Sequence, residues 1–246
     1  ANPAVGSRRE YRLSSVLATF ALALLLPVFA YCGYILWLFT TEQRAQAERI
    51  ALEYARQLAR EIEQDEAAIR GILATLANAE ELTDGDLAAF YRRASVAANL
   101  MGAPIVLTDP FGQQLINTRR PMSEPLPVAS ALETVEAIRT TRLPQTSDLV
   151  TGAVLGAPVL AIGVPVLRED QLRYMLFASV EPSRLARLMA AGNLRREWVR
   201  ALSDRRGVII ARSVDHQAYV GRQGQIRNLS PGPEGGHRVE QLNGGQ

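Results

Sequence analysis

The sequence has few of the residues that most often build metal, redox and nucleophilic sites. It contains one cysteine and two histidines among 246 residues. Cys32 lies inside an uncharged apolar run, so no disulfide can form within the chain and the fold must be stabilised by core burial. His216 and His237 lie in polar, turn-rich stretches without HxxxH or CxxC spacing. We therefore expect no metal site.

Neither basic nor acidic residues are in large excess. The chain has 27 basic and 25 acidic residues and a net charge of +2, so the sequence predicts no basic surface of the size that nucleic acid needs. No serine has the context of a nucleophile elbow, and no glycine-rich phosphate loop opens a helix. We expect no catalytic residue and no cofactor, and no nucleic acid among the partners.

The first long feature of the chain is an apolar run. Leu13 to Thr41 covers 29 residues without a charge, where about 20 are enough to cross a bilayer. Three arginines precede the run and a glutamate follows it, so the positive-inside rule places the N-terminus in the cytoplasm. The sequence predicts a cytoplasmic tail over 1–12, a transmembrane helix over 13–40 and an external main part.

A cleaved signal peptide is the alternative interpretation of the same run. Val28-Phe29-Ala30 resembles a small-residue cleavage site after a shorter apolar stretch. The apolar run nevertheless continues through Trp37 to Phe39, which a cleaved segment does not need. We favour an anchor that stays on the protein.

Residues 41–101 are predicted to be helical. The stretch up to Ala79 is rich in Ala, Glu, Arg and Leu and indicates one long helix. Thr83-Asp84-Gly85-Asp86 then breaks this helix and caps a second helix that ends near Gly102. Steps of four and three define an apolar seam with one polar exception along the long helix, comprising Ala51, Ala55, Leu58, Ile62, Asp65, Ile69, Ile72 and Leu76. The seam fits a parallel homodimer or a face buried against its own domain, and both interpretations stay open.

The periodicity then changes from helical to strand-like. The run APIVLTDPFGQQLINT reads as two strands joined by a tight turn, and a proline-rich loop and a short helix over 130–141 follow. Three further strands are predicted over 147–150, 157–167 and 172–180. This order is typical of an α+β fold, in which helices cover one face of an antiparallel sheet.

The end of the chain repeats part of this pattern. After a short helix over 182–191, WVRALSDRRGVIIARS repeats the strand, Asp-x-x-Gly turn and strand of IVLTDPFGQQLINT. Beyond residue 222 the composition turns to Gly, Pro, Asn and Gln. We expect an incomplete second module over 182–246, in a fragment or truncated chain.

Three segments carry a resemblance to a known family: IVLTDPFGQQLINTRRP, VLAIGVPVLREDQLRYMLFASVEPSRL and WVRALSDRRGVIIARSVDHQAYVGR. Together with the N-terminal anchor and the long helix, they resemble the extracytoplasmic double Cache region of bacterial sensor histidine kinases. The resemblance covers most of residues 8–240. It implies a membrane-distal PAS-like module over 102–181, a second PAS-like module after it, and a location at the bacterial inner membrane with the main domain in the periplasm.

The resemblance implies a signal-sensing region, most simply the input part of a two-component histidine kinase. The alternatives are the sensor of a chemoreceptor or diguanylate cyclase, and a membrane-anchored binding or scaffold protein without an output domain. The chain lacks the family's phosphoacceptor helix and ATP-binding domain, so kinase activity would belong to a parent protein. In this mechanism a ligand changes the packing of sheet against long helix, and the helix transmits the shift.

A ligand pocket is expected between the sheet and the proline-rich loop. The candidate ligand-binding residues are Asn117, Thr118, Arg119, Arg120, Asp148 and Tyr174. Arginines next to an amide and a hydroxyl suit a carboxylate, and Asp148 opposite them suits an amine, so the ligand would be an amino acid or a small organic acid. The alternative is that the arginines are solvated, Asp148 caps a turn and Tyr174 packs in the core.

Overall fold

The computed structural model describes residues 13–191 and 199–224. The chain forms two compact units, one up to Tyr54 and one from Ala55 onward. The elements are α1 (Leu13–Ala77), α2 (Glu80–Asp84), α3 (Leu87–Met101), β1 (Ile105–Thr108), β2 (Gln114–Asn117), α4 (Leu132–Thr141), β3 (Gln145–Thr146), β4 (Val150–Thr151), β5 (Pro158–Arg168), β6 (Gln171–Val180), α5 (Pro182–Ala191), β7 (Ala201–Ser203), β8 (Ile209–Arg212) and α6 (His216–Tyr219).

In the N-terminal unit, α1 exposes large apolar side chains. Phe20 and Phe29 are 71% and 72% exposed. Across the described residues, no helix combines the length and the apolar character needed to cross a membrane. The structure therefore confirms a helix over 13–40 but not the predicted membrane span. The predicted tail over 1–12 lies outside the described residues.

The two helices predicted after the apolar run are confirmed, with α2 as a short helical turn between them. Asp86 caps α3, since its carboxylate accepts a hydrogen bond from the Ala89 amide at 2.9 Å. Gly102 ends α3 in the left-handed conformation, with φ of 66°. The chain thus leaves α3 directly into β1, because glycine takes this conformation without steric cost.

An antiparallel sheet forms the centre of the larger unit, as the α+β prediction requires. Its strand order is β2-β1-β6-β5-β3, and β4 also pairs with β5. β5 and β6 form a long hairpin closed by Glu169 and Asp170, both with positive φ. The main core lies between one sheet face and α1, α3 and α5, and includes Leu73, Phe90, Leu107, Leu176 and Met189. A smaller core lies on the other face under α4.

The strand predicted over 147–150 is wrong in its bounds. Two short strands are found instead, with β3 directly before this segment and β4 beginning at its last residue, Val150. Ser147 interrupts the ladder because its hydroxyl, rather than a backbone carbonyl, accepts the hydrogen bond of the Ala161 amide at 2.8 Å. A serine side chain that replaces a ladder partner in this way cannot be distinguished from a strand residue by hydropathy alone.

The repeated Asp-x-x-Gly phrase forms the same turn twice. In the first turn the Asp109 carboxylate accepts hydrogen bonds from the amides two and four residues later, each at 2.9 Å. Asp204 does the same in the second turn, at 2.9 and 2.8 Å. Gly112 and Gly207 both have positive φ, at 90° and 77°. The two hairpins, β1–β2 and β7–β8, thus share their local structure.

The seam of α1 packs within its own chain from Leu58 onward. Ile69 and Leu76 are buried in the main core, and Leu58 and Ile62 pack against it. This is the second of the two interpretations that the sequence left open. The homodimer stays a prediction.

Candidate functional site

A cavity of about 60 Å³ lies on the sheet face that carries α4. Its apolar lining comes from the sheet, from the residues before α4 and from the segment after β4. These side chains include Val106, Ala131, Val154, Leu155, Val159 and Phe177. The polar lining consists of Gln114, Asn117, Arg119, Ser130 and Ser179. A mostly apolar cavity with a few polar groups is the usual composition of a small-molecule site.

Three of the polar lining residues form one hydrogen-bonded cluster. The Asn117 amide donates from Nδ2 to Gln114 Oε1 at 2.9 Å, and its Oδ1 accepts from the Arg119 backbone N–H at 3.0 Å. Gln114 and Asn117 are only 7% and 5% exposed. The cluster is therefore a preformed part of the cavity wall.

A β-bulge brings Gln114 and Asn117 to the same face. The register of β1 and β2 shifts next to Thr108, which pairs with Gln114, while Val106 pairs with Asn117. Residues three apart on a regular strand point to opposite faces, and the extra residue of the bulge cancels that difference. The alternation of residues between the two faces of β2 therefore gives no indication that Gln114 belongs to the site.

Of the predicted site residues, Asn117 and Arg119 line the cavity. Arg119 also pairs with Glu181, the residue before α5. Its guanidinium has five N–H donors, so this pair leaves donors for a ligand. Arg119 is the one charged side chain in the lining among the described residues.

Thr118 and Arg120 are next to the cluster but do not line the cavity. The Thr118 hydroxyl accepts from the Ile105 backbone N–H at 2.9 Å, which fixes the end of β2 against β1. Arg120 pairs with Glu124 at 2.9 Å on the surface of the proline-rich loop. The structure thus separates the two adjacent arginines, which the sequence had placed in one carboxylate site.

Asp148 and Tyr174 lie away from the cavity lining. Tyr174 packs against the main core, on the other face of the sheet. Asp148 pairs with Arg205 at 3.4 Å and with Arg206 at 3.7 Å, both in the second Asp-x-x-Gly turn. The predicted position of Asp148 opposite the arginines of the loop is therefore not what the structure shows.

The cavity wall formed by β4 and the segment after it is tied to the second hairpin by Leu149, the residue before β4. The Leu149 backbone N–H donates to the Asp204 carboxylate at 3.3 Å, and the Leu149 carbonyl accepts from Arg206 Nη2 at 3.2 Å. The next residue, Val150, lines the cavity. A displacement of this wall would therefore reach the β7–β8 hairpin through a single residue.

The same hairpin is linked to α1 through Thr146. Arg205 donates to the Thr146 carbonyl at 2.9 Å, and Arg70 donates to the Thr146 hydroxyl at 3.1 Å. The Thr146 hydroxyl in turn donates to Glu66 of α1. Cavity wall, second hairpin and long helix thus share one polar network.

Asp148→Asn should loosen the second hairpin without changing the cavity. The substitution keeps the side-chain size and removes the charge that faces two arginines. Both arginines are more than half exposed, so the expected loss is below about 1 kcal/mol. Trypsin cleavage after Arg205, followed by mass spectrometry, should become up to about fivefold faster. Glu124→Gln, which breaks a surface pair elsewhere, should leave that cleavage rate unchanged. Equal rates in the two variants would contradict this assignment.

No group of three or more His, Cys, Asp or Glu side chains that could hold a metal ion occurs in the part of the chain that the structure describes. The cavity lining there also contains no acidic side chain. The arrangement is suited to binding by hydrogen bonds and apolar contact.

The fold is similar to those of extracytoplasmic sensor domains of known structure. The sensor domain of the Vibrio cholerae histidine kinase DctB is 14% identical, with 76% of this chain and 71% of that chain covered and a TM-score of 0.54. The ligand-binding domain of the Campylobacter jejuni chemoreceptor Tlp3, solved with L-valine, is 13% identical, with 77% of each chain covered and a TM-score of 0.56. That of the Pseudomonas fluorescens chemoreceptor CtaA, solved with L-isoleucine, is 13% identical, with 73% of each chain covered and a TM-score of 0.55.

No family model and no curated protein matches the sequence. The structural likenesses, at identities of 13–14%, show the fold alone. The chain thus has the fold of Cache-type extracytoplasmic sensor domains, which occurs in both histidine kinases and chemoreceptors.

Proposed function

We propose that this protein is the ligand-binding sensor part of a bacterial membrane receptor. The observation that carries the proposal is the cavity between the α4 face of the sheet and the loops that cross it, with a preformed polar cluster in its wall. The shared fold supports it, because the similar domains of Tlp3 and CtaA were solved with amino acids bound.

The residues proposed to contact the ligand are Arg119, Asn117 and Gln114. Arg119 supplies the charge, and the two amides supply fixed donors beside it. Thr118 is proposed to support the loop that carries Arg119, because its hydroxyl holds the end of β2, whereas Arg120 pairs with Glu124 on the loop surface.

The output attached to this sensor is proposed to be a two-component histidine kinase, by analogy of fold with DctB. A chemoreceptor is the second candidate, which the likeness to Tlp3 and CtaA favours equally. The matching turns of the β1–β2 and β7–β8 hairpins support the proposal that two related modules lie in series, as in a double Cache region.

Attachment to the bacterial inner membrane, with the sensor outside the cytoplasm, is also proposed. It rests on the uncharged run from Leu13 to Thr41, on the basic flank before it and on the exposure of the apolar side chains that the structure describes within it. Exposed side chains such as Phe20 and Phe29 suit an apolar surrounding.

Signal transfer is proposed to start at the cavity wall formed by β4 and the segment after it. A bound ligand would fix this wall, and Leu149 would pass the change to Asp204 and Arg206 of the second hairpin. Two arrangements of such a network with different ligand affinities are sufficient for signalling.

Arg119→Gln tests the binding site. We expect thermal stabilisation of the full chain in detergent by at least one member of a panel of amino acids and short organic acids, because a ligand that binds the folded state raises its stability. The variant should weaken that ligand about tenfold, since it removes one charge-assisted hydrogen bond.

Arg120→Gln is the matched control, because it removes the same charge from the adjacent residue outside the cavity lining. It should bind the ligand as the unmodified chain does. Equal weakening in both variants would refute the assigned site. A panel without any hit would refute the sensor function of this cavity.

A further inference from the structure

We infer that the cavity recognises a short monocarboxylate with an aliphatic tail, and that it selects against the α-amino group of an amino acid. This inference rests on the proposed sensor function and specifies its ligand. It follows from the donors and acceptors of the polar cluster, from the charge of the lining and from the size of the cavity.

The polar cluster presents donors to the cavity rather than acceptors. The Gln114 Oε1 accepts from Asn117, and the Asn117 Oδ1 accepts from the Arg119 backbone N–H, so both amide oxygens are already engaged. The Gln114 Nε2 has no hydrogen-bond partner among the described residues, and the guanidinium of Arg119 carries further N–H groups. A set of convergent donors beside a cation binds a carboxylate.

The charge of the lining also favours a carboxylate ligand. Arg119 contributes a positive charge, and no lining side chain within the described residues is acidic. Asp148, the one residue that the sequence offered for an amine, is engaged by Arg205 and Arg206 instead. An ammonium group in the cavity would lose its water, face a cation and find no carboxylate, which is unfavourable.

The opposite end of the cavity is apolar. Gln114 and Asn117 lie on β2, at one edge of the sheet, whereas Val159 lies on β5, three strands away in the order β2-β1-β6-β5. Three strand spacings are about 14 Å. Val154 and Leu155 extend the apolar wall beyond β5. A ligand with its carboxylate at β2 would therefore direct its other end along an apolar surface.

The volume limits the length of that ligand. A cavity of about 60 Å³ compares with the roughly 10–15 Å³ that one water molecule needs. It therefore holds about four to six groups of the size of a water or a methylene. A carboxylate with one to three carbons in its tail has about four to six heavy atoms and fits this space, and a purine ring system does not.

The test uses the full chain in detergent and isothermal titration calorimetry with acetate, propionate, butyrate and valerate. At the chain length that binds most tightly, the acid is compared with its 2-amino derivative and with its amide. We expect the 2-amino derivative, which adds an ammonium group, to bind at least tenfold more weakly than the acid. We expect the same of the amide, which lacks the carboxylate charge. The tightest acid should be propionate or butyrate, and valerate should bind more weakly because it exceeds the volume of the cavity.

Gln114→Glu provides the second arm of the experiment, because it replaces the free donor with an anionic acceptor at the same position. We expect it to weaken the acid at least tenfold and to reverse the preference in favour of the 2-amino derivative. Gln171→Glu, at the exposed first residue of β6 and outside the cavity lining, adds the same charge and should change neither affinity.

The outcomes separate the two proposals. A 2-amino acid that binds the unmodified chain as tightly as the plain acid would overturn the ligand class and leave the sensor function intact. If neither the acids nor any amino acid binds, both proposals are overturned. Tight binding of the plain acid together with reversal in Gln114→Glu supports both.

Discussion

Gly163→Ala should lower the free energy of unfolding by about 1–3 kcal/mol and weaken ligand binding in the same variant. Gly163 lies on β5, on the face that carries α4. A Cβ atom there would lie 2.4 Å from Cε1 of Phe177 and 2.6 Å from Cδ1 of Ile138. Both distances are far below van der Waals contact, so the neighbouring side chains must move.

This movement links the stability of the fold to the shape of the cavity, because Phe177 is part of both the smaller core and the cavity lining. Its ring packs in the smaller core with Ile138, which is fully buried, and it also lines the cavity. Protein cores are packed too densely to absorb a methyl group without displacement. The cavity is the open space next to the ring, so we expect Phe177 to shift into the volume that the ligand needs.

Thermal unfolding of the full chain measures the first effect. A change of 1 kcal/mol corresponds to about 2–4 °C for a domain of this size, so the midpoint should fall by several degrees. Gly71→Ala is the matched control, because a Cβ at Gly71 meets no atom within 4 Å and the residue lies inside α1. That change should stabilise the protein by up to about 1 kcal/mol through helix propensity. A midpoint that rises in Gly163→Ala, as it should in Gly71→Ala, would show that Gly163 is not tightly packed.

The parts of the fold that the sequence predicts well are those that depend on local chemistry. Asp86 and Gly102 set the ends of α3 through contacts within a few residues. The Asp-x-x-Gly turns likewise close through hydrogen bonds of the Asp side chain to amides two and four residues later. Interactions of this range depend on neighbouring residues, so a single sequence contains the necessary information.

The candidate site is harder to predict because it depends on register and on distant partners. Asn117 and Arg119 were predicted, since the polar end of a strand beside a loop is visible in the sequence. Gln114 was missed because a bulge changes the face to which it points. Asp148 was misplaced because its partners, Arg205 and Arg206, lie 57 and 58 residues later in the chain, and no local pattern connects them.

Arg184→Ala is the other substitution with a large expected effect, a loss of about 1–3 kcal/mol. Arg184 explains why the apolar seam of α1 contains Asp65. Its Nε and Nη2 donate to the two carboxylate oxygens of Asp65 at 2.9 and 2.6 Å, and its Nη1 donates to the Met101 carbonyl at 2.6 Å. One side chain on α5 thus binds α1 and the last turn of α3.

The expected loss comes chiefly from Asp65, which would be left without its partner. The side chains of Asp65 and Arg184 are 22% and 27% exposed, so water replaces the lost bonds only in part. Full burial of such a pair would raise the cost to about 3–5 kcal/mol, and the partial exposure reduces it. Arg184→Lys should recover less than half of the stability, because an ammonium group cannot form the bidentate contact.

A comparison of the urea unfolding of Arg184→Ala and Arg139→Ala tests whether the loss of stability depends on where the hydrogen bonds lie or only on how many there are. Arg139 also forms three hydrogen bonds, all to Glu136 three residues before it on α4. Those two side chains are 47% and 58% exposed, so Arg139→Ala should unfold at nearly the same urea concentration as the unmodified chain. If the two variants unfold at the same urea concentration, Arg184 does not hold the three helices together, and the seam residue Asp65 needs another explanation. A clear difference means that the helix proposed to carry the signal is fixed to the sensor fold at this ion pair.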